Sequence, residues 1–518
     1  MSGTVVGAAP LQQEYDVVVV GSGGGALTGA ALAAAAGLST LVLERTPLIG
    51  GTSAYSGGAC WLPGTDVQQR AGLPDSTEGA RAYLAAVLDD PDPARVEALL
   101  TQAPRLVARL EADPLMDFEW IPFSEYYDAP GRVPMGRSIQ PVALRRDELD
   151  PAVAALVRPP VERDRAGRPG RSTLSGGQAL IARLAAMTVR DGGTIATGRQ
   201  VIGFGRDADG RVTTVRYAGP DGPGEVRARQ GILVAAGGFE GSPERRTVHA
   251  TPGDAAWTMA PRGTNTGEVI DAAAELGAAT DWSGEGWFCP GLQQPDGSGT
   301  FTLGFRGGVM VDAGARRYGN ECLPYDRFGR LMAASADRTP SWLVFDAREE
   351  GRLPAIAMPE GERAEHLAAG TWVEADTIAE LAAAIGLDPA ALVATLERYN
   401  RFAAAGKDTD FGRGEDEYDT FFAGGGGPSA ALVPVDRPPY TAARFVLSDL
   451  GTKGGLVTDA SARVLDTDGV PIPGLYAASN STASVFGSAY PGPGAPLGAA
   501  MAFASLAVED MLAPDPCN

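Results

Sequence analysis

Hydrophobic residues fall into three patterns along this chain, and each predicts a different kind of element. The first is the short unbroken apolar run. Val17–Val20, Thr40–Glu44 and Gly231–Ala236 are runs of strand length, too short for helices and apolar enough to be buried strands. The first and third end abruptly in glycines, the second in an acid. The second pattern is alternation. Residues 194–234 alternate in strand fashion, with turns at Asp209-Gly210 and Pro220–Gly224, which predicts a meander. The third is helical spacing, seen over residues 76–111, Gly176–Arg190 and Gly263–Leu276, with one or two further helices in Asp376–Phe402. Gly25–Ala36 and a stretch ending near Met511 are rich in small residues, which suits tightly packed helices.

The pattern changes twice. From about Asp281 the chain places Trp282, Trp287, Phe288, Phe301 and Phe305 among Gly and Pro. Gly307–Arg330 reads as a strand hairpin leading into a loop that carries Tyr325, and Ser341–Phe345 as a strand. From Gly451 the first type returns, with short strands at Gly454–Asp459, Ala462–Asp466 and Gly474–Ala478. The order predicts one domain interrupted by another: 12–283 and 447–514 around an inserted 284–446.

The first run carries chemistry. Val17–Val20, the glycines Gly21, Gly23 and Gly25, the small-residue helix and Thr40–Glu44 form a strand–turn–helix–strand unit. Glycines there let the backbone turn sharply and let a pyrophosphate approach its N–H groups. The helix N-terminus faces the phosphates with its positive dipole end. Glu44 lies at the spacing of an acid that accepts from ribose hydroxyls. Ala26 takes the place of the third glycine, which the pattern permits. The reading is a dinucleotide site; the alternative is a buried βαβ unit whose glycines only allow close packing. Gly50-Gly51-Thr52-Ser53 and Ser56-Gly57-Gly58 follow directly and can line a long, flat cofactor with amides and hydroxyls.

Composition narrows the field. At 518 residues the chain exceeds one simple core. A formal net charge of −21 argues against nucleic acid or an anionic membrane surface as partner. Cys60, Cys289, Cys322 and Cys517 form no CxxC and predict neither a disulfide framework nor a metal site. Residues 1–14 show no leader pattern, and no uninterrupted apolar run approaches ~20 residues, so no transmembrane segment is expected. The cytoplasm, with at most loose membrane association, is the expected compartment. The histidines are His249 and His366, and the lysines Lys407 and Lys453. Acid–base chemistry must therefore fall mainly to Tyr, Asp, Glu, Cys or Arg.

Seven pieces spread over the chain carry a resemblance: GSGGG at Gly21–Gly25, GGTSAYSGG at Gly50–Gly58, Glu125-Tyr126, VAAGGFE at Val234–Glu240, NECLPYDRFGR at Asn320–Arg330, SDLGTKGGL at Ser448–Leu456 and YPGPGAPLG at Tyr490–Gly498. The glycine pieces are shared by relatives of fumarate reductase. The NExxPYDRxGR and YPGxGxPxG pieces are more specific, and with them the sequence resembles the FAD-dependent 3-ketosteroid Δ1-dehydrogenases. The family usually has Asp where Glu125 stands, and Gly where Ser479 precedes Asn480.

The resemblance implies an α/β fold: a Rossmann-like FAD-binding domain, parallel sheet with β-meander, interrupted by a smaller α+β catalytic domain. It implies non-covalent FAD, held by Gly21, Ser22, Gly23, Gly24, Gly25, Ala26, Glu44, Arg45, Gly50, Gly51, Thr52, Ser53, Ser56, Gly57, Gly58, Val201, Ala236, Gly237, Gly238, Asn480, Pro496 and Leu497. It implies a 3-ketosteroid substrate and an external electron acceptor such as a quinone. In the implied reaction, C2 of the steroid loses a proton and C1 a hydride to flavin N5. Tyr490 and the Gly494 N–H match the family's donors to the C3 oxygen. Tyr325 matches the base, and Tyr126 a tyrosine bonded to it. Trp287, Phe288, Phe301 and Phe305 are candidate walls for a flat polycycle, with an ordinary core role equally open for each. Two rivals share the fold: a Δ4-dehydrogenase of saturated 3-ketosteroids, and a fumarate-reductase-like enzyme on a dicarboxylate. The latter needs convergent cations, for which Arg316, Arg317, Arg327 and Arg330 are on offer.

Overall fold

The computed structural model describes residues 4–6 and 11–513. Cys517, residue 514 and much of the stretch read for a leader lie outside them. The chain divides into two compact units. One comprises Met1–Arg245, Ala260–Glu285 and Thr452–Asn518, the other Arg246–Met259 and Gly286–Gly451.

The first unit is built on the apolar runs. Val17–Val20 pairs in parallel with Thr40–Leu43 on one side and Gly231–Val234 on the other. Thr194–Ala196 and then Thr4–Val6 extend the sheet past Thr40–Leu43. Pro471–Ala477 joins the far end of the Gly222–Val234 strand, again in parallel. The near end of that strand turns into an antiparallel meander with Val212–Gly219 and Gln200–Arg206. Val17 to Val20 are all buried, which is why the run is continuous rather than alternating.

Helix Gly24–Ala35 packs against Gly177–Arg190 and Ala495–Leu512. It is buried over nearly its whole surface, and small residues make that contact possible. A Cβ on Gly25 would lie 2.9 Å from the Ala500 carbonyl oxygen, and one on Gly29 2.5 Å from Leu233 Cδ2. Helix Ala495–Leu512 is long and apolar enough to cross a membrane by length and composition, yet 67% of that window is buried inside the protein. Its apolarity serves the core, through Met501, Phe503 and Val508.

The second unit is organised on a seven-stranded sheet. Its order runs Val309–Val311, Ser341–Phe345, Tyr440–Thr452, Gly286–Gln293, Gly299–Leu303 and Ile356–Met358, with Trp372–Ala375 also on Tyr440–Thr452. One face buries Phe288, Leu292, Phe305, Phe328, Met332, Phe345, Trp372 and Phe445 together. Helices Ile378–Ala384 and Pro389–Ala405 supply Leu381, Leu392, Leu396 and Tyr399 to a second core with Val309, Val311 and Val344.

Five details differ from the sequence reading. Residues 76–111 form two helices, Thr77–Val87 and Pro93–Glu111. Asp92 caps the second with bonds from the Ala94 and Arg95 N–H groups. The Gly263–Leu276 helix begins only at Glu268. Arg246–Met259 clusters with the second unit, held there by Asp449, which takes hydrogen bonds from Thr258 Oγ1 at 2.7 Å and from Arg246. Tyr325 starts a helix, Tyr325–Ala333, instead of standing in a loop. Tyr325, Phe328, Gly329 and Met332 recur at helical spacing and are all buried. Phe288 and Phe305 belong to the core rather than to a pocket wall.

A buried ion cluster locks the second unit. Glu321 receives Arg317 Nη2 at 2.8 Å and Arg413 Nη1 at 2.9 Å, and Glu321 and Arg413 are fully buried. Burial pushes the Glu321 carboxyl up, but Arg317 and Arg413 outweigh it and hold it below its ordinary value. Such a carboxylate contributes stability above about pH 4 and loses it as pH falls through the lower folded value. Glu321→Ala strands buried Arg413 and leaves Arg317 with Asp408 alone, and should cost about 3–5 kcal/mol in urea unfolding at neutral pH. A loss below ~1 kcal/mol would show the pair to be worth no more than an exposed one.

Candidate active site

The residues singled out in the sequence fall into two sets, one in each unit. In the first unit, Gly21 turns the chain at the end of the central strand with φ +101°. A Cβ there would lie 2.4 Å from the Ala235 carbonyl oxygen, so only glycine fits the crossing. Gly23 is the extended N-cap of helix Gly24–Ala35. Ser22 Oγ donates to Glu44 Oε2 at 2.5 Å and accepts from the Gly50 N–H at 3.0 Å. The Gly24 N–H donates to Ser53 Oγ at 3.1 Å. Leu497 covers Gly24, and Ala26 is buried behind it. Turn, acid and the Gly50–Ser53 segment thus converge on one helix N-terminus.

The other predicted cofactor residues extend this cradle. Gly51 and Gly57 have open space where a Cβ would sit. Ser56 Oγ accepts from the Gly58 N–H at 3.1 Å. The Ala236 N–H donates to Ser481 Oγ at 2.9 Å, and that hydroxyl donates on to the Gly237 carbonyl at 2.8 Å. This brings Ala236, Gly237 and Gly238 beside the turn of Ser479, Asn480 and Ser481. Ser479 holds a left-handed φ of +66°, where the family's usual glycine would be unstrained. Pro496 opens the C-terminal helix. Arg45, next to Glu44, meets Thr266 Oγ1 at 3.2 Å and Glu268 at 3.5 Å, and Val201 is buried in the sheet core, two residues after Arg199, whose N–H donates to the Glu44 carbonyl at 2.8 Å.

Tyr126 lies in an excursion between Phe118–Trp120 and Ile139–Pro141, which pair antiparallel. Its neighbour Glu125 is completely buried. Glu125 accepts from Arg137 Nε at 2.7 Å, Arg137 Nη2 at 3.1 Å, the Val133 N–H at 2.8 Å and Trp61 Nε1 at 2.9 Å. Burial pushes its carboxyl up from the ordinary value, against the pull of Arg137 and the other donors. Arg137 also meets Asp75 at 2.9 Å. This network fixes the excursion from behind, and the Tyr126 ring meets the Tyr490 ring edge-on at 5.2 Å.

The loop that carries Tyr490 is held by its carbonyls. Lys453 Nζ donates to Ser488 O at 2.7 Å and Ala489 O at 2.9 Å. Tyr83 Oη donates to Pro491 O at 2.6 Å, and the Tyr126 N–H to the same oxygen at 3.1 Å. Ser138 Oγ donates to Pro493 O at 2.6 Å, and the Trp61 N–H to Gly494 O at 3.1 Å. Gly494 is the N-cap of helix Ala495–Leu512 with φ +78°. A Cβ on it would strike Ala59 O at 2.1 Å. Among the described residues no group accepts the Gly494 N–H, so a donor stands at the positive end of an 18-residue helix.

In the second unit, Tyr325 is the first residue of its helix, after Pro324 at the N-cap. The motif before it is a frame. Asn320 Nδ2 donates to Asp419 at 2.8 Å, and its oxygen accepts from the Cys322 N–H at 2.9 Å. Gly329 lets the helix lie on the Phe288–Cys289 backbone, 2.7 Å from where its Cβ would be. Phe301 stands edge-on to the Tyr325 ring at 4.8 Å. It pairs opposite Gly291, on the sheet face of Trp287 and away from Phe288.

Three comparisons bear on this arrangement. Residues 16–497 match the family model described as FAD binding domain. A 3-oxosteroid 1-dehydrogenase from Rhodococcus opacus is 40% identical, over 96% of this chain and 98% of the relative. The chain belongs to the 3-oxosteroid 1-dehydrogenase family. A 3-ketosteroid Δ1-dehydrogenase from Sterolibacterium denitrificans, solved with 1,4-androstadiene-3,17-dione, superposes with a TM-score of 0.86 at 31% identity, covering 96% of this chain and 99% of that one. A 4-oxocyclohexanecarboxylate 2-dehydrogenase from Sinomonas cyclohexanicum is 34% identical over 95% of this chain and 92% of the relative.

FAD is the cofactor of this family member, and the residues present fit it. A helix N-terminus behind a glycine turn suits the pyrophosphate, and Glu44 the ribose. Thr52 Oγ1 is buried without a partner among the described residues, a hydroxyl waiting for a polar ligand. The sequence reading missed the Glu125–Arg137–Asp75 network, Ser138, Tyr83 and Lys453. A charged pair inside an aromatic loop was the available signal for the first. His366, in contrast, is a core residue: it is buried, bonded to Thr371 Oγ1 at 2.8 Å, and stacked on Trp372.

The sequence offers no histidine in a cofactor motif for covalent attachment. Heat-denatured, clarified protein should therefore release a yellow supernatant. Colour that stays with the pellet would contradict a non-covalent flavin.

Proposed function

We propose that this chain is an FAD-dependent dehydrogenase that introduces the C1–C2 double bond into 3-ketosteroids. The observation that carries the reading is the pair at the end of the captured loop: buried Tyr490 and the unaccepted N–H of Gly494 at a helix N-terminus. Two donors held in place by the fold suit an oxygen that gains charge as the reaction proceeds. The C3 carbonyl of a 3-ketosteroid is such an oxygen, because loss of the C2 proton makes it an enolate.

The roles then divide as follows. Tyr490 and Gly494 donate to the C3 oxygen and make the C2 proton acidic. Tyr325 takes that proton, and Tyr126 supports the charge that forms on it. A phenol titrates near ~10, so the base needs such support. FAD, when bound, would supply the two-electron acceptor for the hydride from C1, and an external acceptor of the quinone class would take those electrons on.

The pairing of three arginines with carboxylates supports a neutral substrate over an acid. Arg137 is committed to Glu125 and Asp75, Arg317 to Glu321 and Asp408, and Arg330 to Asp326. A dicarboxylate, or the carboxylate of an oxocyclohexanecarboxylate, needs a cation that the fold has not already paired. Anaerobic mixing with androst-4-ene-3,17-dione should bleach the flavin, while succinate and 4-oxocyclohexanecarboxylate should not. Bleaching by succinate alone would sink the steroid assignment.

Tyr490→Phe removes one of the two donors. Loss of one such donor typically costs ~10²–10³ in rate, and the loss should fall on flavin reduction rather than on steroid binding. A rate within about threefold of wild type, far below that range, would remove Tyr490 from the role.

Tyr325→Phe should nearly abolish flavin reduction and leave binding intact. Tyr126→Phe should cost less alone and little more in the Tyr325→Phe background, because groups acting as a unit are not additive. Stopped-flow reduction of both single variants and the double decides this. Strict additivity would separate the two tyrosines.

A further inference from the structure

Of the two lysines in the chain, Lys407 is exposed and Lys453 is buried, with 2% of its surface accessible. A buried ammonium needs close partners. Lys453 finds them in the carbonyls of Ser488 and Ala489, at 2.7 Å and 2.9 Å. Its own backbone is pinned on both sides: its N–H donates to Glu285 O at 3.0 Å, and its carbonyl accepts from the Ser484 N–H at 2.9 Å. The ammonium is therefore a fixed post rather than a mobile charge.

The place of that post matters. The Ala489 carbonyl and the Tyr490 N–H belong to one planar peptide. Fixing the Ala489 oxygen fixes the plane from which the Tyr490 side chain departs. On the other side, Pro491 O is held by Tyr83 Oη and the Tyr126 N–H. Charge-assisted hydrogen bonds are the stronger kind, and among the bonds that hold this loop those from Lys453 carry a full charge.

We propose that Lys453 is a positioning residue for the reaction: by clamping the Ser488 and Ala489 carbonyls it aims the Tyr490 hydroxyl. The inference rests on the reading of Tyr490 as a donor to the substrate oxygen. Lys453 acts through Tyr490 and touches neither substrate nor reacting atoms in this role.

A residue that acts through another loses its effect when the other is removed. The test is a double-mutant cycle on FAD-loaded enzyme, K453M and Y490F, read by anaerobic stopped-flow flavin reduction with androst-4-ene-3,17-dione. Reduction at saturating steroid gives the chemical step, and its concentration dependence gives the steroid Kd. K453M should slow reduction by about ten- to a hundredfold, the scale of a small misplacement of a catalytic group, with Kd changed less than about threefold. In the Y490F background the same substitution should slow reduction less than about threefold. K453R, which keeps the charge and the donors, should restore most of the rate. If K453M does not yield folded holoenzyme, K453Q enters the same cycle, with a smaller loss that again vanishes in Y490F. An equal slowing by K453M or K453Q in both backgrounds would overturn the proposal, because the lysine would then act elsewhere. A Y490F enzyme as fast as wild type would instead overturn the reading of Tyr490 itself, so the two failures are distinguishable.

Discussion

The carbonyls of residues 488 to 494 are the constraint on which this site depends. Buried backbone oxygens must find donors, and this loop has no ladder of its own to supply them. It takes them from five residues: Lys453, Tyr83, Tyr126, Ser138 and Trp61. Those donors come from helix Thr77–Val87, from the Phe118–Pro141 excursion, from the segment after Gly58, and from the end of the long strand Tyr440–Thr452. With its oxygens taken, the loop keeps Tyr490 buried and the Gly494 N–H unspent. The distribution of donors makes the site sensitive to substitutions far from it in sequence.

One helix ties this loop to the cofactor cradle. Ala495–Leu512 begins at Gly494 and runs on to pack against Gly24–Ala35. The approach is so close that Gly25 admits no Cβ beside Ala500. The dinucleotide turn and the proposed substrate donors are thereby set by the same rigid element. Small residues in both helices are the means, and their cost in side-chain packing is offset by near-complete burial.

Much of this was legible in the sequence. The glycine-ended strands and the meander read correctly because continuous burial and alternation leave unambiguous traces. The Tyr325 helix did not, because Pro324 and Gly329 resemble loop residues. The apolar spacing Tyr325–Phe328–Gly329–Met332 was nevertheless present. For Phe288 and Phe305 the sequence leaves pocket wall and core both open, because aromaticity alone does not separate them. Strand alternation separates Phe288 and Leu292 from Trp287 and Cys289 once the strand is known. Lys453 was invisible in its role, because its partners are backbone oxygens, which leave no mark on the sequence. Glu125 lay in plain view beside Tyr126, yet its partner Arg137 stands twelve residues on, across an irregular stretch that no periodicity spans.

The proposed mechanism turns on enolate formation, with donors polarising a carbonyl so that a tyrosine can remove the neighbouring proton. That step can be isolated from hydride transfer by reducing the flavin beforehand. The decisive measurement is deuterium exchange at C2 of androst-4-ene-3,17-dione, in heavy water, on fully reduced enzyme. The account predicts exchange catalysed by wild type, lost in Tyr325→Phe and strongly slowed in Tyr490→Phe, with the steroid still bound in both. Exchange that proceeds equally in all three proteins would contradict it.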